Sequence, residues 1–124
     1  MKKFLTLEQM TALRNFGIDV SPKCTGMIYS AVEGEYKLMY SDAVCEDDII
    51  AFDLQDILEL LPTRISLSHN GEVVYFLVIE KACNDYYGCY YTDLNNSLLN
   101  VFSGKDILDV TCDMVIWVIE NKYL

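Results

Sequence analysis

Ile65-Ser66-Leu67-Ser68-His69-Asn70-Gly71-Glu72-Val73-Val74-Tyr75-Phe76-Leu77-Val78-Ile79-Glu80 is the stretch that decides the fold. Asn-Gly suits the two central positions of a type I′ turn, which both need positive φ, and β-branched and aromatic residues flank it on either side. The pattern predicts a β-hairpin. A two-residue turn would pair His69 with Glu72, Leu67 with Val74 and Ile65 with Phe76. Val73 to Ile79 is apolar at every position, which predicts a central strand covered on both faces.

Working outward toward the N-terminus, Asp53-Leu54-Gln55-Asp56-Ile57-Leu58-Glu59-Leu60-Leu61-Pro62 predicts a short helix. Asp53 suits the N-cap, Leu54, Ile57, Leu58 and Leu61 fall on one face, and Pro62 stops the run. Met27 to Tyr40 predicts a further hairpin around Glu33-Gly34, with Tyr36, Leu38 and Tyr40 on an apolar face. Thr6 and Gln9 form a capping box, with Leu5 and Met10 at the hydrophobic-staple positions. Leu7, Met10, Leu13 and Phe16 supply that helix's apolar surface, and Gly17 stands where a left-handed stop belongs.

Toward the C-terminus, Tyr86 to Thr92 is a candidate further strand, Asn95-Asn96 a turn, and Leu98 to Phe102 carries no decisive signal. Lys105 to Asn121 contains Val115-Ile116-Trp117-Val118-Ile119, which alone has strand propensity. At 100° per residue, however, Asp106, Asp109, Asp113 and Glu120 fall within an arc of about 60°. That spacing predicts a helix with one narrow polar stripe, lying deep against the sheet with Trp117 buried. The expected class is α+β: an antiparallel sheet of two hairpins, with Tyr86–Thr92 as a candidate fifth strand, packed by three helices. At 124 residues the chain is expected to form a single domain over 1–124.

Leu5-Thr6-Leu7-Glu8-Gln9-Met10, Asp53 to Pro62 and Met114-Val115-Ile116-Trp117-Val118-Ile119-Glu120-Asn121-Lys122-Tyr123-Leu124 together resemble small uncharacterised proteins of gut anaerobic bacteria, often carried in phage or other mobile-element regions. These are cap and core motifs. The resemblance therefore implies a shared fold, and it brings no activity, cofactor or site residue with it.

A hydrophobic fraction of 52% with 23% charged residues excludes a disordered or low-complexity chain. No apolar run is long enough to predict a membrane span. Nine Lys and Arg against 19 Asp and Glu give a net charge of −10, which disfavours direct binding to nucleic acid. The cysteines (Cys24, Cys45, Cys83, Cys89 and Cys112) are odd in number and lack CxxC spacing, and His69 is the sole histidine. No zinc set is expected. Glu8 interrupts the start of an apolar leader, so the expectation is a reduced, cytoplasmic protein without a structural disulfide.

The phosphate-binding, zinc-protease, nucleophile-elbow and calcium-loop motifs are all missing, so no catalytic residue, cofactor or metal ligand is assigned. His69, next to the turn, is expected as an exposed cross-strand neighbour of Glu72. Two features point to a partner, with the acidic segment from Asp42 to Glu59 as the expected contact and the stretch from Tyr86 to Tyr91 as the alternative. Asp42, Glu46, Asp47 and Asp48 are acid that no helix terminus explains, in a stretch free of Lys and Arg from residue 38 to residue 63. Tyr86, Tyr87, Tyr90 and Tyr91 crowd four tyrosines into six residues, and tyrosine is enriched at interfaces. Strand alternation would put Tyr86 and Tyr90 on one face and Tyr87 and Tyr91 on the other. The expected function is a non-enzymatic protein-interaction module with a basic protein partner, away from membranes, and homo-oligomer formation is compatible with it. The competing expectations are an acidic inhibitor (an immunity protein or a nucleic-acid mimic) and a small enzyme with an unrecognised site.

Overall fold

A computed structural model describes residues 2–21, 26–41, 48–69 and 71–123. The α+β class is observed, with three helices and two antiparallel sheets, of three and four strands. The chain divides into two compact units, Phe4–Asp53 and Leu54–Leu124 with Met1–Lys3.

In the first unit, helix α1 (Leu7–Asn15) begins at the expected capping box. Gln9 N donates to Thr6 Oγ1 at 3.2 Å, and Thr6 N donates back to Gln9 Oε1 at 3.0 Å. The staple residues Leu5 and Met10 are fully buried. Gly17 has φ of 95°, the left-handed stop. Strands β1 (Gly26–Val32) and β2 (Glu35–Ser41) form the expected hairpin, closing at Val32 opposite Glu35. Glu33 and Gly34 both have positive φ, 52° and 84°, as a type I′ turn requires. A two-residue strand β3 (Ile49–Ile50) pairs with the other edge of β1, giving the order β2-β1-β3. The apolar side of β2 faces solvent: Tyr36, Leu38 and Tyr40 are all exposed.

The second unit opens with helix α2 (Leu54–Leu60), ended by Pro62, with Ile57 and Leu61 in the core. Strands β4 (Arg64–His69), β5 (Gly71–Lys81), β6 (Tyr87–Thr92) and β7 (Leu98–Gly104) follow in that spatial order, all antiparallel. The hairpin register differs from the expectation by one residue. Ile65 pairs with Tyr75, Leu67 with Val73 and His69 with Gly71; Asn70 and the His69 side chain lie outside the described residues. A one-residue slip exchanges the two faces of a strand. Here the register puts Ile65 on the face of Tyr75, Leu77, Cys89 and Tyr91, where it is buried.

Helix α3 (Ile107–Glu120) packs on that face, against β6 and β7. Asp106 caps it by accepting from Leu108 N at 2.9 Å. Leu108, Val110, Met114, Val115 and Val118 are buried, each contributing about 1.5–3 kcal/mol by removing aliphatic surface from water. The polar stripe is observed: Lys2 pairs with Asp109, while Asp113 and Glu120 are exposed. Trp117 departs from its expected burial. It stands at the edge of the stripe, half-buried, with ring centroids 6.4 Å from Tyr91 and 5.4 Å from Tyr123. The two-sided covering expected for β5 is also not observed. Phe76, on the face away from α3, is 40% exposed.

Candidate partner-binding face

The open face of the four-stranded sheet follows from strand parity. Residues that alternate with the buried set present Val74, Phe76, Val78 and Glu80 from β5, Gly88, Tyr90 and Thr92 from β6, and Leu98, Val101 and Ser103 from β7. Leu98 is 55% exposed, Val101 47% and Tyr86 43%. The β6–β7 turn adds Leu94, almost wholly exposed, held by Asp93, whose carboxylate accepts from Asn95 N at 2.9 Å and Ser97 N at 2.8 Å. Single exposed apolar side chains are ordinary, but a contiguous apolar face marks a contact surface.

The tyrosine cluster is divided as alternation predicts. Tyr91 is fully buried against α3, and its hydroxyl donates to the Pro62 carbonyl at 2.7 Å. Burial, then the neighbouring Cys89, holds its phenol well above the ordinary range. Tyr87 is half-buried at the end of the same face, with Lys81 Nζ 5.9 Å from its ring centroid. Tyr86 and Tyr90 reach the open face. There they flank Gly88 and line a hollow of about 400 Å³ with Glu80, Leu98, Val101 and Ser103. Tyr90 Oη donates to Glu80 Oε2 at 3.4 Å. Partial burial, then the Glu80 carboxylate, raises the Tyr90 phenol. On Tyr86 the chain already places a cation, Lys105 Nζ, 5.8 Å from the ring centroid.

The acidic candidates lie in the other unit. Asp42, Glu46 and Asp47 are outside the described residues, and Asp48 is 8% exposed, lining a hollow with Arg14 and Tyr36. The structure thus brings together Tyr86 and Tyr90 with residues the sequence analysis did not select: Glu80, Gly88, Leu98 and Val101. The two-faced apolarity of Val73 to Ile79 marks only the β5 part of this face, and Gly88, Leu98 and Val101 carry no local signal for it.

Cys83 is free and exposed, and Cys89 and Cys112 are free and buried. Burial pushes the Cys89 thiol up to about 12 and, with help from Asp113, the Cys112 thiol up to about 11. Among the described residues no group of three His, Cys, Asp or Glu side chains could share a metal ion. Likewise, no described helix is long and apolar enough to cross a membrane. Comparison with known proteins finds no matching family model, no matching curated protein and no matching solved structure.

Proposed function

We propose that the protein is a non-enzymatic interaction module, cytoplasmic, whose basic protein partner docks on the open face of the four-stranded sheet. The observation that carries this reading is the apolar surface of Phe76, Leu94, Leu98 and Val101 beside Tyr86 and Tyr90. A net charge of −10 favours a partner of opposite sign and speeds its approach. The buried thiols of Cys89 and Cys112 stay protonated at neutral pH, which suits a binding role better than nucleophilic chemistry. The resemblance to small proteins of mobile-element regions fits an accessory role, in which a short chain acts by holding a larger protein. The same charge supports a narrower version of this reading, in which the held protein is thereby inhibited.

The test is a photo-crosslinking residue at Val101, with Glu59 on α2 as the control position, in cells of the native host. One basic protein should be captured from Val101 and not from Glu59. Phe76→Asp or Leu98→Asp, on the same face, should abolish its capture while leaving the circular dichroism spectrum unchanged. Capture that survives both charges would overturn the assignment of this face.

A further inference from the structure

Gly88 is the second residue of β6, an inner strand of the sheet paired on both sides, where glycine leaves the backbone less constrained than alanine would. Three ordinary reasons for a strand glycine do not apply. Its φ is not positive, since only Gly17 and Gly34 among the described glycines have that conformation. The irregularity in the β6–β7 register lies between Tyr91 and Thr92, not here. A methyl group would also meet no close neighbour: the nearest atoms are Glu80 Cγ at 3.6 Å and Oε1 at 3.8 Å, then Tyr90 Cδ1 at 4.0 Å. Gly104 shows the contrast, because a methyl there would meet Val110 Cγ2 of α3 at 3.2 Å. What remains at Gly88 is close approach from outside, the other established use of a glycine within a strand.

The missing side chain makes a notch. Tyr86 and Tyr90 stand two residues to either side, so their α-carbons are about 13 Å apart along the extended chain. The cross-strand partner of Gly88 is Glu80, which puts a carboxylate on the notch wall. On the β7 side Ser103 stands directly opposite Gly88, and Val101, opposite Tyr90, is the nearest aliphatic side chain of that strand on the open face. Aromatic faces, one carboxylate and an aliphatic wall are the complement of a side chain with an aliphatic stem and a flat cationic head. Arginine fits better than lysine. Its guanidinium stacks on rings, pairs with a carboxylate through two parallel N–H donors, and gives up hydration more readily.

Resting on the docking face proposed above, we infer that the notch over Gly88 receives an arginine side chain of the partner, its guanidinium on Glu80 and its stem against Val101. Amide-resolved NMR titration of the whole protein with N-acetyl-arginine amide tests this, beside the lysine and citrulline counterparts. The arginine compound should shift the amides of residues 80, 88–90 and 101–103 saturably. Lysine should bind at least about threefold more weakly, and citrulline, which is neutral but of the same shape, should leave those amides unmoved. Glu80→Gln should lose about fivefold in affinity, the scale of a half-exposed ion pair. Gly88→Val keeps the net charge and fills the notch with a good strand residue, so binding should disappear while the fold is retained. Citrulline or lysine binding as well as arginine, or a Gly88→Val protein that still binds, would overturn the inference. If arginine fails but the Val101 cross-link persists, only this inference falls. Loss of the cross-link's dependence on the sheet face, with arginine still bound in the notch, would refute the docking reading instead.

Discussion

Tyr90→Phe and Tyr91→Phe remove the same atom from neighbouring residues, and the fold assigns them unequal costs. Tyr91 is fully buried and donates to the Pro62 carbonyl at 2.7 Å. Removing its hydroxyl loses a bond worth about 0.5–1.5 kcal/mol net, and a partly buried carbonyl left without a donor raises the total to about 1–3 kcal/mol. Tyr90 makes only a 3.4 Å contact with Glu80 on the open face, so its hydroxyl is worth less than about 0.5 kcal/mol. Urea unfolding followed by the emission of Trp117 reads the right unit, because this single tryptophan stands 6.4 Å from the Tyr91 ring. With a slope of about 1–3 kcal/mol per molar urea, Tyr91→Phe should lower the midpoint by about 1 M and Tyr90→Phe by less than about 0.3 M. Equal losses, or a larger loss at Tyr90, would refute the assignment of the two sheet faces, on which the docking site depends.

Timed alkylation at about pH 8 with peptide-level mass spectrometry should label Cys83 before Cys89 and Cys112. Cys89 and Cys112, whose thiols are pushed up to about 12 and about 11, should react only on unfolding. Asp113→Asn should raise the melting temperature slightly at about pH 7, because the side chain is exposed and solvent screens most of the effect. Desolvation, then Asp109, raises the Asp113 carboxyl above its ordinary 3.8 against the opposing effect of Lys2, so its ionised form disfavours the fold. The native state then binds more protons than the unfolded one across the window between the two values, and stability falls as pH rises through it. The advantage of the variant should therefore vanish once the pH is below 3.8, and an advantage that persists there would refute the cause given.

Local chemistry was legible in the sequence and pairing was less so. The Thr6–Gln9 box, the stop at Gly17, the positive-φ pair Glu33-Gly34 and the end of α2 at Pro62 each depend on a few adjacent residues, and all are observed. β3 was not legible, because Ile49-Ile50 is too short to carry a period and becomes a strand only beside β1. The β4–β5 register was set by a distant requirement, the burial of Ile65 with Cys89 and Tyr91 under α3, rather than by the turn alone. The candidate site was half legible. Alternation separated Tyr86 and Tyr90 from Tyr87 and Tyr91, but an apolar strand reads the same whether its second face meets a helix or solvent. Trp117 was misplaced for a related reason. Its angle on the helix wheel puts it among apolar residues, yet a ring that large at the border of an acidic stripe keeps one edge in water.

In the proposed function two kinds of recognition would meet in this chain, and they act at different ranges. The net charge of −10 acts over a Debye length, about 8 Å at physiological salt, and carries no information about which basic surface arrives. Selectivity has to come from contact, where a cost is imposed on the wrong group. In the notch that cost has a definite source. A neutral head would displace water from the Glu80 carboxylate and leave it only the 3.4 Å contact from Tyr90 Oη, and a bulky apolar one would cover the carboxylate without pairing it. Gly88 makes this discrimination geometric as well, since the depth that admits a narrow stem between Tyr86 and Tyr90 excludes a ring of their own size. The glycine that weakens β6 as a strand is thus the residue that lets its open face distinguish one basic side chain from another.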